Sequence, residues 1–189
     1  EPQLDFKYYV NPIQKVNELK PKKNETLNVL SLFSGCGGMD LGFEGGFSVL
    51  KSSVNEKLTP TFIDKKLNNG FVQLKKTKFK TVFANDILKD ARNAWVNHFM
   101  KKGREADLFY SQSIVDLVKL HQSGIDVFPK NIDVVTGGFP CQDFSIAGKR
   151  NGFNSHKNHN GKLIDEVNPT EETRGQLYMW MKQVIEITK

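Results

Sequence analysis

Leu27-Asn28-Val29-Leu30-Ser31-Leu32-Phe33 is a short apolar run that breaks directly into Ser34-Gly35-Cys36-Gly37-Gly38. A run this short and this apolar, ending in glycines, is the pattern of a buried parallel strand feeding a tight loop. Strand signals return at Thr81-Val82-Phe83-Ala84, at Leu108-Phe109-Tyr110 and at Ile132–Thr136, the last ending in Gly137-Gly138. Helical spacing separates them. Ala91, Ala94, Trp95, His98 and Phe99 share one face; Ile114, Leu117, Val118 and His121 share another. Ser113 and Asp116 stand as a capping box before the second of these helices. Leu177, Trp180, Met181, Val184 and Ile187 define a last amphipathic helix. Alternation of this kind predicts an α/β fold built on a parallel sheet with right-handed crossovers and helices on both faces. Ligands in such sheets bind at the carboxyl ends of the strands, so the glycines at 35–38 and 137–138 mark one rim.

Three segments fall outside the alternation. Residues 1–26 are polar and read as an arm, with one helical turn near Ile13–Leu19. Residues 47–80 read as a surface insertion, partly helical near Pro60–Leu67, punctuated by Lys65, Lys66, Lys75, Lys76, Lys78 and Lys80. Residues 151–169 are rich in Asn, Gly and His without a period and read as a long loop. With 38% hydrophobic and 25% charged residues in 189, the chain has core material for one domain. It contains no apolar run long enough to span a membrane, and its first residues lack the pattern of a secretory signal. Cys36 and Cys141 cannot supply a disulfide framework or a four-ligand zinc site, and His156 and His159 have no ligand cluster beside them, so no metal is expected. A cytoplasmic location is the expectation. The net charge of +6 makes a polyanionic partner plausible.

The chemistry concentrates at the strand ends. Phe33–Gly38 is neither a P-loop nor a G-x-G-x-x-G, because no Gly-Lys-Ser/Thr follows and Asp40 occupies the third glycine position. It still allows a backbone turn to approach a ligand closely. Asp86 ends the second strand, where a carboxylate commonly holds ribose hydroxyls. Its oxygens accept hydrogen bonds only, which suits a diol. Together, turn and acid predict an adenosine-containing cofactor. In Gly137-Gly138-Phe139-Pro140-Cys141-Gln142-Asp143-Phe144-Ser145, a cysteine follows a rigid proline just past a strand end, a place suited to a nucleophile.

With these motifs in order, the chain resembles the front part of a DNA cytosine-5 methyltransferase. The resemblance is carried by Leu32–Gly38 with Asp40 and Gly42, by Asp86 and the helix to Phe99, by Gly138-Phe139-Pro140-Cys141-Gln142, and by Arg174-Gly175-Gln176-Leu177-Tyr178. It spans about residues 27–188. It implies a Rossmann-like S-adenosylmethionine-dependent methyltransferase fold, incomplete at its C-terminal side. It places Phe33, Ser34, Gly35 and Gly37 around S-adenosylmethionine, Asp86 on the ribose and Ile87 against the adenine. Ile114 and Ser113 follow, Ser113 standing where the family usually has Asp, and Pro140 and Leu177 close the pocket. Cys141 would attack C6 of a cytosine flipped out of the duplex, activating C5 toward the methyl group. Residues 143–173 would form the catalytic loop. Gln142, Ser145, Lys149, Arg150 and Arg174 would contact double-stranded DNA.

The family's Glu-Asn-Val motif, its Arg-x-Arg motif and its target recognition domain are not found in these 189 residues, and Glu186 lies in a helix unsuited to the acid's role. The resemblance therefore implies a partial catalytic domain that is inactive alone, completed by a C-terminal half or subunit. The implied activity is the modification enzyme of a bacterial restriction system, acting on nucleoid DNA. Two alternatives are a tRNA cytosine-5 methyltransferase and a non-catalytic cofactor- or DNA-binding subunit of a split enzyme.

Overall fold

The computed structural model describes residues 26–100, 108–140, 157–158, 160, 162–163 and 173–189. In chain order its elements are β1 (Leu27–Leu32), α1 (Gly38–Glu44), β2 (Ser48–Leu50), a 3-10 turn at Lys51–Ser53, β3 (Ile63–Lys66), β4 (Phe71–Leu74), β5 (Phe79–Asn85) and α2 (Lys89–Met100). They continue with β6 (Phe109–Tyr110), α3 (Ile114–Gln122), β7 (Val134–Gly137), a second 3-10 turn at Arg174–Gln176 and α4 (Leu177–Thr188). The main sheet is parallel with order β6-β5-β1-β7. The chain steps outward from β1 to β5 to β6 and then returns to β1's other side. The order therefore reverses between β1 and β7, which makes that crevice the topological switch point.

Register aligns the strand ends. Leu32 lies level with Asn85 on one side and Gly137 on the other, and Asn85 lies level with Tyr110. The two-residue period of a strand then divides the core into two layers. Leu30, Leu32, Phe83 and Tyr110 pack with α3 and α4 through Ile114, Leu117, Val118, Leu177, Trp180 and Val184. Ala84 and Phe109, one residue out of phase, pack with Trp95 and Phe99 of α2. Helices on both faces of a parallel sheet match the α/β expectation. Ser113 caps α3, its Oγ accepting from Val115 N at 3.3 Å.

α2 differs in detail from its sequence pattern. Trp95 and Phe99 are fully buried, but Ala94 and His98 are exposed. The helix meets the sheet along a narrower stripe than five residues require. A buried polar bond also fixes this layer: Trp95 Nε1 donates to Asp40 Oδ2 at 2.6 Å, joining α2 to α1. Asp40→Ala would leave the indole N–H without this acceptor in the core and is expected to cost about 2 kcal/mol. Urea unfolding of the two proteins measures this, and a difference below about 0.5 kcal/mol would remove the bond from the account of stability.

The segment 47–80 requires a correction. Pro60–Leu67 holds no helix. Turns lead into β3, and β2, β4 and β3 form an antiparallel three-stranded sheet of order β2-β4-β3. The cause is local. Asn69 and Gly70 have φ of 58° and 77°, and Phe71 N donates to Asn68 O at 3.3 Å, closing a tight hairpin between β3 and β4. Asn-Gly tolerates two consecutive positive φ values, and the resulting turn matches the twist of paired strands.

The N-terminal arm, the turn near Ile13–Leu19 and most of the 151–169 loop, including His156 and His159, lie outside the described residues. Among the described residues no helix is long and apolar enough to cross a membrane.

Candidate cofactor-binding site

The rim is built by backbone bonds before any ligand-facing side chain is considered. Ser34 N donates to Asn85 O at 2.8 Å, and Asn85 N returns a bond to Ser34 Oγ at 3.1 Å. Ser34 Oγ also donates to Ser31 O at 2.9 Å. The buried Asn85 side chain reaches the other way: its Nδ2 donates to Tyr110 O at 3.0 Å and Gln112 O at 2.7 Å. One residue thus couples the ends of β1, β5 and β6. With its donors spent on fixed carbonyls, Asn85 holds the next residue, Asp86, in place.

Asp86 is half-buried, and two backbone amides orient its carboxylate. Gly35 N donates to Oδ2 at 3.0 Å and Leu88 N to Oδ1 at 2.9 Å. Each oxygen keeps further acceptor capacity. Gly35 has φ of 54°, the conformation that lets its amide turn back toward Asp86. Phe33 also has a left-handed φ, 53°, which is uncommon for a bulky residue and costs on the order of 1 kcal/mol. Strain of this kind persists where the surroundings over-determine it, and it concentrates at ligand sites.

Beyond these anchors a cleft of about 490 Å³ opens at the carboxyl ends of the strands. Its walls are Phe33, Asn85, Asp86, Ile87, Leu88, Ser113, Ile114, Gly138, Pro140, Asn160, Arg174 and Leu177. The volume is ordinary for a small-molecule site, and the walls are mostly apolar with a few convergent polar groups. Ile87 and Leu88 remain 38% and 61% exposed at the mouth, apolar surface that a planar ring would cover.

The structure brings together Phe33, Asp86, Ile87, Ser113, Ile114, Pro140 and Leu177, which the family resemblance assigns to the cofactor. Ser34 and Gly35 stand behind the wall and hold Asp86 and Asn85. Gly37 is placed differently. A Cβ there would lie 2.6 Å from Trp95 Cδ1 and 2.8 Å from Phe99 Cε2, so its bare Cα serves the packing of α2 against the turn. Arg174, expected at DNA, lines the same cleft as the cofactor residues. Cys141, Gln142, Ser145, Lys149 and Arg150 lie outside the described residues; Pro140, the chain neighbour of Cys141, is in the wall. Gly138, which the sequence puts on the rim, is in the wall, whereas Asn85, Leu88 and Asn160 were missed. A polar residue ending an otherwise apolar strand was a usable signal for Asn85, whereas nothing local to Asn160 singles it out.

A sequence model of the C-5 cytosine-specific DNA methylases matches residues 66–171, more than half of the chain. The chain belongs to the C-5 cytosine-specific DNA methylase family. The methylase match runs from β3 through Pro140 and Cys141, while β1 and the glycine turn precede it. Named relatives extend the likeness. The type II methyltransferase M.BsuRI of Bacillus subtilis is 35% identical over 130 residues, 68% of this chain and 26% of the relative. M.BspRI of Lysinibacillus sphaericus is 35% identical over 132 residues, with the same coverage of each. M.Sau96I of Staphylococcus aureus is 30% identical over 133 residues, 70% of this chain and 22% of the relative. The chain thus spans about a quarter of the length of the curated relatives it matches.

Proposed function

We propose that this chain is the cofactor-binding and nucleophile-bearing part of an S-adenosylmethionine-dependent DNA cytosine-5 methyltransferase, the modification enzyme of a bacterial restriction system. The supporting observation is the convergence of Phe33, Asp86, Ile87, Ser113, Ile114, Pro140 and Leu177, from separate segments, on one cleft beside the switch point. The cleft fits the cofactor. Asp86 offers oriented acceptors to a ribose diol, Ile87 and Ile114 offer apolar surface to an adenine, and Phe33 and Leu177 close the sides. The bound cofactor supplies a methyl group on a sulfonium.

The chain's own chemistry rests on Cys141. Its thiolate adds to C6 of the cytosine, which raises electron density at C5. After methylation the C5 proton leaves, the Cys141–C6 bond breaks and the ring is restored. The base must be out of the stack for the thiolate to reach it. Bringing the thiolate, base and methyl donor into line is mainly a positioning effect. Gln142, together with Ser145, Lys149 and Arg150 of the loop at 143–173, would hold DNA. Arg174 would work from the cleft wall. The acid that assists at cytosine N3 and the recognition region are not found in these 189 residues. The chain alone is therefore expected to be inactive, and activity to require the remaining part of the enzyme.

Cys141→Ser in the complete enzyme tests this reading. Methylation of duplex DNA should fall by at least about 10³-fold, because an alcohol is far less ionised than a thiol at neutral pH. S-adenosylhomocysteine affinity should stay unchanged. Retained methylation would eliminate the nucleophile, and preference for tRNA over duplex DNA would eliminate the substrate.

A further inference from the structure

Residues 47–80 carry eight lysines against two carboxylates, Glu56 and Asp64. The chain as a whole has 27 cations and 21 anions, so the remainder is balanced at 19 each and the entire net charge of +6 sits in this segment. All eight lysines are exposed. Of these eight, only Lys51 has an ion pair among the described residues, with Glu56 at 3.4 Å. The backbone beneath them is pinned. Gly46 N donates to Lys75 O at 3.0 Å, Lys75 N to Phe62 O at 2.8 Å and Leu27 N to Lys78 O at 2.8 Å. Lys65 of β3 and Lys76 of the β4–β5 connection meet at one open cleft, with Asp64, Gln73 and Gly46 in its wall. An ordered framework therefore presents uncompensated positive charge, at the self-repulsion cost such charge carries.

From this we infer that the β2-β4-β3 sheet is a second nucleic-acid surface that holds the phosphate backbone of duplex DNA without reading sequence. Regularly spaced phosphates are the partner complementary to unpaired lysines on a fixed scaffold, and counterion release drives their association. The surface is separate from the cofactor rim. β5 starts beside the small sheet at Phe79 and ends at the rim at Asn85, a span of about 20 Å at ~3.3 Å per residue. The DNA held here is thus not the base pair presented to the cleft but a flanking or second stretch of duplex. Such a contact would retain the enzyme on DNA between sites.

The test is fluorescence anisotropy of the 189-residue chain with a labelled duplex of A·T pairs only, at 50–200 mM salt. Lacking cytosine, this probe has no substrate base, so the outcome is independent of the proposed catalytic reading. Affinity should fall linearly on logarithmic axes with salt. The quadruple variant K65Q/K66Q/K75Q/K76Q should bind at least about tenfold more weakly at 50 mM and lower the salt slope by about 3. The matching arginine variant should bind like the parent, which separates charge from loss of folding. Equal binding by the Gln variant would overturn the proposal, as would an equal loss on K89Q/K130Q. Binding to anionic vesicles or to polyglutamate with none to duplex would also overturn it and assign the surface to another partner.

Discussion

Asp86→Ala is expected to weaken S-adenosylhomocysteine binding about a hundredfold in a calorimetric titration. The carboxylate is oriented by Gly35 N at 3.0 Å and Leu88 N at 2.9 Å, so it would meet a ligand diol already fixed. Two hydrogen bonds to a charged acceptor, each about 1.5 kcal/mol net, amount to a factor of about 10². The substitution also releases the Gly35 amide, loosening the turn that positions Phe33. Asp86→Asn, which keeps one acceptor, should lie between the parent and the alanine variant. A parent-like affinity for Asp86→Ala would remove this residue from the ligand site and with it the ribose assignment.

Gly37→Ala is expected to destabilise the chain by about 3 kcal/mol. The φ of 88° costs an alanine about 1–2 kcal/mol. The new Cβ would also stand 2.6 Å from Trp95 Cδ1 and 2.8 Å from Phe99 Cε2, and overpacking of buried rings adds about 1–3 kcal/mol. In thermal unfolding this is a fall of roughly 6–12 °C for a chain of this size. Gly35→Ala is the comparator, because it shares a positive φ but has nothing within 4 Å of the added carbon. It should lose about 1 kcal/mol, the backbone part alone. Equal losses at the two positions would show that α2 can yield and that Gly37 is a turn glycine only.

Much of the site could be read along the chain because its residues sit at strand ends, and strand ends are marked locally. An apolar run gives way to glycine at 33–38, and another to Gly137-Gly138. Asp86 and Ser113 follow strands and precede helices. Once these ends share a rim, Phe33, Asp86, Ile87, Ser113 and Ile114 must approach one another. What could not be read locally were roles decided by neighbours. Gly37 looked like a ligand glycine, but packing against Trp95 and Phe99 claims it. Asp40 interrupts a G-x-G-x-x-G pattern in the sequence, and its carboxylate holds the Trp95 indole from 55 positions away. The helix expected near 60–67 fails for a different reason: the Asn69-Gly70 turn is a stronger local signal for a hairpin than weak apolar spacing is for a helix.

Periodicity and punctuation, which depend on residues a few positions apart, were sufficient for the parallel α/β architecture, the rim and Asp86 upon it, while the other cleft residues came from the family resemblance. Register, the division of the core into two layers, the Ser34–Asn85–Tyr110 coupling and the entry of Arg174 and Asn160 into the cleft wall were decided only by the folded chain. These depend on contacts between residues as much as about 140 positions apart, and no local pattern encodes which of the many compatible pairings leaves the polar groups satisfied and the core filled.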